Sequence, residues 1–73
     1  MIEVRLFATL RDGRGKIVQI EPNAVSTAAD ILHALEIPPE TIAILLINGF
    51  HSRPEDPVKD GDILALFPPV GGG

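Results

Sequence analysis

At 73 residues the chain has room for one domain, which at this size buries roughly 60% of its unfolded surface and so has only a small core. Hydrophobic residues make up 45% and charged ones 22%, an ordinary globular mixture with no internal repeat, no low-complexity body and no apolar run long enough for a signal peptide or a membrane span. Ten acidic residues outweigh six basic ones, a net charge of −4, and Arg5, Arg11, Arg14, Lys16, Arg53 and Lys59 are scattered, which excludes the clustered basic face that nucleic-acid binding uses and leaves a cytoplasmic protein with protein partners as the simplest expectation.

Ile2, Val4, Leu6 and Ala8 alternate with Glu3, Arg5 and Thr9, a period of two that predicts a strand with one face on a core. Phe7 falls on the polar side, where an aromatic is either covered by a neighbouring strand or used as a contact. Arg11 to Gly15 supplies a turn, and Lys16 to Glu21 predicts a second strand that closes a hairpin. From Ser26 to Ile37 the period lengthens to about 3.6. Ala28, Ile31, Leu32 and Leu35 share a helical stripe, Ser26 or Thr27 is available as N-cap, and Asp30 stands early, where the helix dipole favours an anion. Pro38 and Pro39 stop that helix.

Ile42 to Ile47 is apolar on both sides, which predicts a strand near the middle of the sheet. Asn48-Gly49 is a hairpin turn signal. A long surface connection from Phe50 to Asp62, with room for a short strand or a 3₁₀ turn, ends in Asp60-Gly61-Asp62, which launches a last strand, Ile63 to Phe67. A hairpin, one main helix across one face, and two or three further strands make an α+β plan with a mixed sheet of four to five strands, and that order and size fit a β-grasp domain over residues 1–67. Residues 68–73 form a Pro-Pro/Gly tail.

Side chains offer no reaction centre. His33 and His51 lack metal-pair spacing and have no nucleophile beside them, so both read as structural or solvated. Asp56, Asp60 and Asp62 lack the spacing and closing glutamate of a calcium loop and read as solvated turn residues. Cysteine is absent, which removes disulfides, thiolate sites and cysteine nucleophiles together.

The carboxylate of Gly73 is the remaining candidate. With a pKa of roughly 3.3–3.7 it is an anion at neutral pH and a poor electrophile, so it reacts only after activation, as by adenylation, whereupon a sulfur or amine nucleophile gives a thiocarboxylate or an amide. Gly71, Gly72 and Gly73 lack a Cβ and can thread a narrow pocket on another protein. Pro68 and Pro69 hold the segment extended, and at about 3.3 Å per residue the stretch from Pro69 to Gly73 reaches on the order of 16 Å beyond the last strand. A frayed end without a role is the competing reading.

Lys59 to Gly73, KDGDILALFPPVGGG, resembles the C-terminal signature of the ubiquitin-like sulfur carriers, most closely the small subunit of molybdopterin synthase. Leu6 to Asp12, LFATLRD, is similar to that family's first strand and turn, and Ile44 to Phe50, ILLINGF, to its third strand. The resemblance implies a non-catalytic cosubstrate, a monomer by itself with no bound cofactor or metal, whose terminal glycine is adenylated by a ubiquitin-activating-type enzyme using ATP, sulfurated with the help of a sulfur donor enzyme, and presented to a pterin precursor on a larger catalytic synthase subunit. It implies that Gly73 carries the sulfur beside a slender Gly72, and that Phe7, Arg11 and Phe67 dock on partners together with the tail residues Pro68, Pro69, Val70 and Gly71. Two features depart from the pattern: IPPET is a short link from helix to third strand, and Gly71 replaces a residue with a side chain. Other acceptors therefore stay open, namely a thiamine thiazole, a tungsten-pterin or a tRNA base, with the Pro-Pro pair leaning away from the thiamine type. A protein modifier conjugated through Gly73 stays open too.

Overall fold

The computed structural model describes residues 1–69; Val70, Gly71, Gly72 and Gly73 lie outside the described residues. Strands β1 (Ile2–Leu6), β2 (Ile17–Ile20), β3 (Ile44–Ile47), β4 (Phe50–His51) and β5 (Ile63–Phe67) form one sheet in the order β2-β1-β5-β3-β4, and helix α1 (Ala28–Ala34) follows the first hairpin. β1 and β5 run parallel while the other neighbours are antiparallel, so this is the mixed sheet of a β-grasp. The core lies between sheet and helix, where Ile2, Val4, Leu6, Leu45, Leu64 and Leu66 pack with Ala28, Ile31 and Leu32.

Period-two alternation holds through β1 and stops one residue earlier than it suggests. Ala8 has φ 55, in the left-handed region, and opens a 3₁₀ turn, Ala8–Arg11, that drops Leu10 into the core in place of Ala8. Thr27 is the N-cap of α1 and makes a reciprocal capping box with Asp30, whose carboxylate accepts from the backbone N–H groups of Ser26 and Thr27. Those two amides, Ser26 first, hold the Asp30 carboxyl below its usual pKa. The connection after β4 satisfies two further amides of the first helical turn, Ala28 donating to the carbonyl of Asp56 and Ala29 to that of Pro54.

The prolines are not what ends the helix. α1 stops at Ala34, where Glu36 turns left-handed at φ 58, its amide donates to His33, and the Ile37 amide reaches back to Leu32. This is a Schellman cap with glutamate in the place that usually takes glycine. Arg14, from the first hairpin, completes it by donating to the carbonyls of Leu35 at 3.0 Å and Glu36 at 3.2 Å.

Asn48 (φ 53) and Gly49 (φ 85) both take positive φ, the requirement of the primed turn between β3 and β4. Asp62 corrects the reading of a solvated turn residue. It is 5% exposed, and its carboxylate accepts from the Asn48 side chain and the Lys59 amide, while Asn48 Oδ1 accepts from the Ile63 amide. That network ties the start of β5 to the tip of the β3–β4 hairpin. Asp60 at the same turn instead pairs with the N-terminal amine, which holds its carboxyl low, and Asp56 accepts from the Arg53 amide.

Candidate functional site

Alternation gives the sheet a second face. Leu64 and Leu66 of β5 point to the helix, so Ile63, Ala65 and Phe67 point away from it, and pairing extends the row: Ala65 stands between Arg5 and Leu46, and Phe67 is opposite Ile44. Among the described residues no helix lies across this side, and Ile44 and Ile63 keep 39% and 38% of their surface. The apolar outer side of β3 is therefore not the mark of a strand buried on both faces. β3 is fourth of five strands, and the middle position belongs to β5. Ile44, Leu46, Ile63 and Ala65 are candidate site residues that sequence reasoning missed: the two-sided apolar run of Ile42 to Ile47 signalled the first two without revealing that one side stays open, and Ile63 and Ala65 were read only as part of a strand.

At one end of this face the structure brings together three residues implied as docking positions. Phe7 and Phe67 stack with ring centroids 4.3 Å apart and planes 11° from parallel. The guanidinium carbon of Arg11 lies 5.5 Å from the Phe7 centroid, and Arg11 Nε donates to the carbonyl of Leu6 at 2.9 Å. Phe7 thus has a double role in which the two readings of it meet: a neighbouring strand covers part of its ring, and the rest faces outward with Phe67.

Backbone geometry explains why the stack stands where the sheet ends. The Phe7 amide donates to Leu66, carrying the parallel ladder one residue past β1, and the Phe67 carbonyl accepts from Ala43 on the other side. Then the ladder stops, because Pro68 and Pro69 have no N–H to donate. Pro68 is half-buried and Pro69 exposed. Val70, Gly71, Gly72 and Gly73, the remaining tail positions, fall outside the described residues.

Elsewhere the described residues provide no competing centre. No group of His, Asp and Glu among them is placed to hold a metal ion. His33 is exposed on α1 and His51 on the edge strand β4. No helix among them is long and apolar enough to cross a membrane. Among the described residues the arrangement presents an open apolar surface, with Pro68 and Pro69 at its margin.

A family model described as the ThiS family matches residues 4–73, nearly the whole chain. The chain belongs to the ThiS family of ubiquitin-like sulfur carriers. Among solved structures, SAMP1 from Haloferax volcanii is similar at 30% identity and a TM-score of 0.77, over 99% of this chain and 98% of that one. A second structure, of H. volcanii small archaeal modifier protein 1, is similar at 29% identity and 0.77, over 94% and 97%. The protein–protein complex of subunits 1 and 2 of molybdopterin-converting factor from Helicobacter pylori contains a chain with the same fold, at 23% identity and 0.65, over 99% and 97%. No curated protein sequence matches. This ThiS-family chain therefore shares its β-grasp with carriers and modifiers alike, and the fold does not single out the final acceptor.

Proposed function

We propose that this ThiS-family protein works as a cosubstrate whose Gly73 carboxylate is converted to a thiocarboxylate. On a ubiquitin-activating-type enzyme the carboxylate attacks the α-phosphorus of ATP, releasing pyrophosphate and leaving an acyl adenylate. A sulfur nucleophile at the oxidation level of sulfide, delivered by a sulfur donor enzyme, then attacks the acyl carbon and expels AMP. The thiocarboxylate sulfur attacks an electrophilic carbon of a pterin precursor held by a larger catalytic subunit, as in molybdenum cofactor synthesis, and water then cleaves the acyl–sulfur bond, so that the sulfur stays on the pterin and Gly73 returns as carboxylate. Gly72 is the slender neighbour that lets the activated carbon enter the enzyme's pocket.

What supports this most is the junction at Phe67. The central strand runs out of the open apolar face directly into Pro68-Pro69, so a partner seated on that face has the tail's root at the rim of its own surface. A partner subunit in the H. pylori complex supports a larger protein as the docking body.

The test is to co-produce the chain with an activating enzyme and a sulfur source, alkylate with a thiol-reactive reagent and read the intact mass. The chain has no cysteine, so an adduct mapped to Gly73 and missing from a Gly73-deleted variant identifies the thiocarboxylate. Adenylation without any adduct refutes sulfur transfer and favours the second reading, a protein modifier joined through Gly73 to lysines. The similarity to small archaeal modifier protein 1 favours that alternative. It predicts a ladder of isopeptide products on immunoblots of cell extracts.

A further inference from the structure

Asn48-Gly49 is the one Asn-Gly pair in the chain, and such a pair is chemically labile wherever its side chain is free. The glycine nitrogen, unshielded by a Cβ, attacks the side-chain amide carbon and gives up its proton as ammonia leaves, which closes a five-membered imide. Water then opens the imide at either carbonyl and leaves aspartate or isoaspartate. Here the amide is not free. Asn48 Nδ2 donates to the Asp62 carboxylate at 3.0 Å, Oδ1 accepts from the Ile63 amide at 3.0 Å, and the Asn48 backbone amide donates to the Ile63 carbonyl at 2.8 Å. We propose that Asn48 is a latent deamidation site, which the folded chain protects through Asp62 and Ile63 and which opening of the β3–β4 tip converts irreversibly into an acidic residue.

The protection is geometric. To reach the Gly49 nitrogen the amide carbon has to swing back over its own backbone into a near-attack position, and it cannot do so while both of its polar atoms are tied to the start of β5. Asp62 is itself anchored. It is 5% exposed, its second carboxylate oxygen accepts from the Lys59 amide at 2.9 Å, and its carbonyl accepts from the Glu3 amide of β1. The product does not replace the asparagine. A carboxylate at position 48 still offers an acceptor to Ile63, but it has no N–H for Asp62, so two carboxylates would meet at hydrogen-bond distance. Isoaspartate is worse placed still, because it adds a backbone carbon to a two-residue turn whose φ values of 53 and 85 fit the hairpin. A tip that has opened and reacted therefore closes poorly, and the chain keeps a permanent record of the opening.

The full chain, incubated at one mildly alkaline pH in buffer and in denaturing urea, tests this. Proteolytic peptides spanning Asn48-Gly49 are weighed, and isoaspartate is read by electron-transfer fragmentation. Conversion in buffer should be slower than in urea by roughly ten-fold or more, since the reactive geometry is reached only in the opened fraction. Asp62→Ala, its fold checked by circular dichroism, should speed conversion in buffer several-fold towards the rate in urea. Asn48→Asp, which builds one product directly, should lower the folding equilibrium constant roughly ten-fold at neutral pH. Equal rates in buffer and urea, a folded Asp62→Ala chain that converts no faster than wild type, or an Asn48→Asp chain as stable as wild type would each overturn the proposal. Should Asp62→Ala fail to fold, a urea series on the wild type below its unfolding transition decides instead. Hydrogen exchange of the Ile63 amide and conversion of Asn48 should then rise in step, and conversion that stays flat while Ile63 loses protection refutes the hold on Asn48.

Discussion

The two faces of the sheet are cut from the same strands, and they end in opposite states. On the helix side Leu64 and Leu66 are wholly buried, whereas Ile63, one residue from Leu64, keeps 38% of its surface. Both sides of β5 and β3 are apolar, although β1 turns Glu3 and Arg5 outward, so burial of those two strands is decided by what lies across them and not by their own composition. A seven-residue helix, helped by Leu10 and Ile37 from the turns beside it, seals one side of a domain this small. On β5 and β3 the other side is left open, with Ile44 and Ile63 keeping 39% and 38% of their surface.

Leu66→Ala should give the largest effect, a loss of about 2–5 kcal/mol in urea unfolding, because it opens a cavity under α1. Ile44→Ser, on the open face and opposite Phe67, should change stability by no more than about 0.5 kcal/mol. The same change should weaken binding to the activating enzyme roughly ten-fold or more in a titration. If Ile44→Ser unfolds the protein as readily as Leu66→Ala, the distinction between a sealed and an open face is wrong. Thr27→Ala, which removes the cap of the sealing helix, should cost about 1 kcal/mol by thermal melting. Glu36→Gly should gain about 0.4–1 kcal/mol by the same measurement, since glycine takes the left-handed position without strain.

The smallest effect concerns acid. The carboxyl of Asp30 is held low by the Ser26 and Thr27 amides, so its folded pKa lies below the unfolded one. Its contribution is then complete above the unfolded value of about 3.9 and is lost as pH falls through the folded value. Melting curves of Asp30→Asn and wild type should differ at neutral pH and converge as acid protonates Asp30. A gap that widens on acidification would contradict the capping role.

Local chemistry was legible wherever one short stretch decides the outcome. Thr27 with Asp30, Asn48-Gly49 and the alternation of Ile2, Val4 and Leu6 each carry their own signal. The end of α1 was not, because a Schellman cap without glycine leaves only Pro38 and Pro39 to be read, and the arginine that completes it comes from the other hairpin. Nor was the sheet order. Whether β3 or β5 takes the middle depends on a parallel pairing between Glu3 and Ile63, residues at opposite ends of the chain. Placing β3 near the middle made Ile44 and Leu46 look like interior residues. For the site, Phe7 stood out by breaking the alternation, while Phe67 was marked only by the family resemblance. Their stacking needed the β1–β5 neighbourhood, which no local pattern contains.

That neighbourhood also orders events in time. β5 comes last of the five described strands in chain order, yet it lies between β1 and β3 and carries the outward Ile63, Ala65 and Phe67. Until the ribosome has delivered it, β1 and β3 have no common neighbour, and Leu64 and Leu66 are missing from the packing against α1. A chain cut short before β5 thus lacks at once the strand that joins the two hairpins and the outward row of Ile63, Ala65 and Phe67.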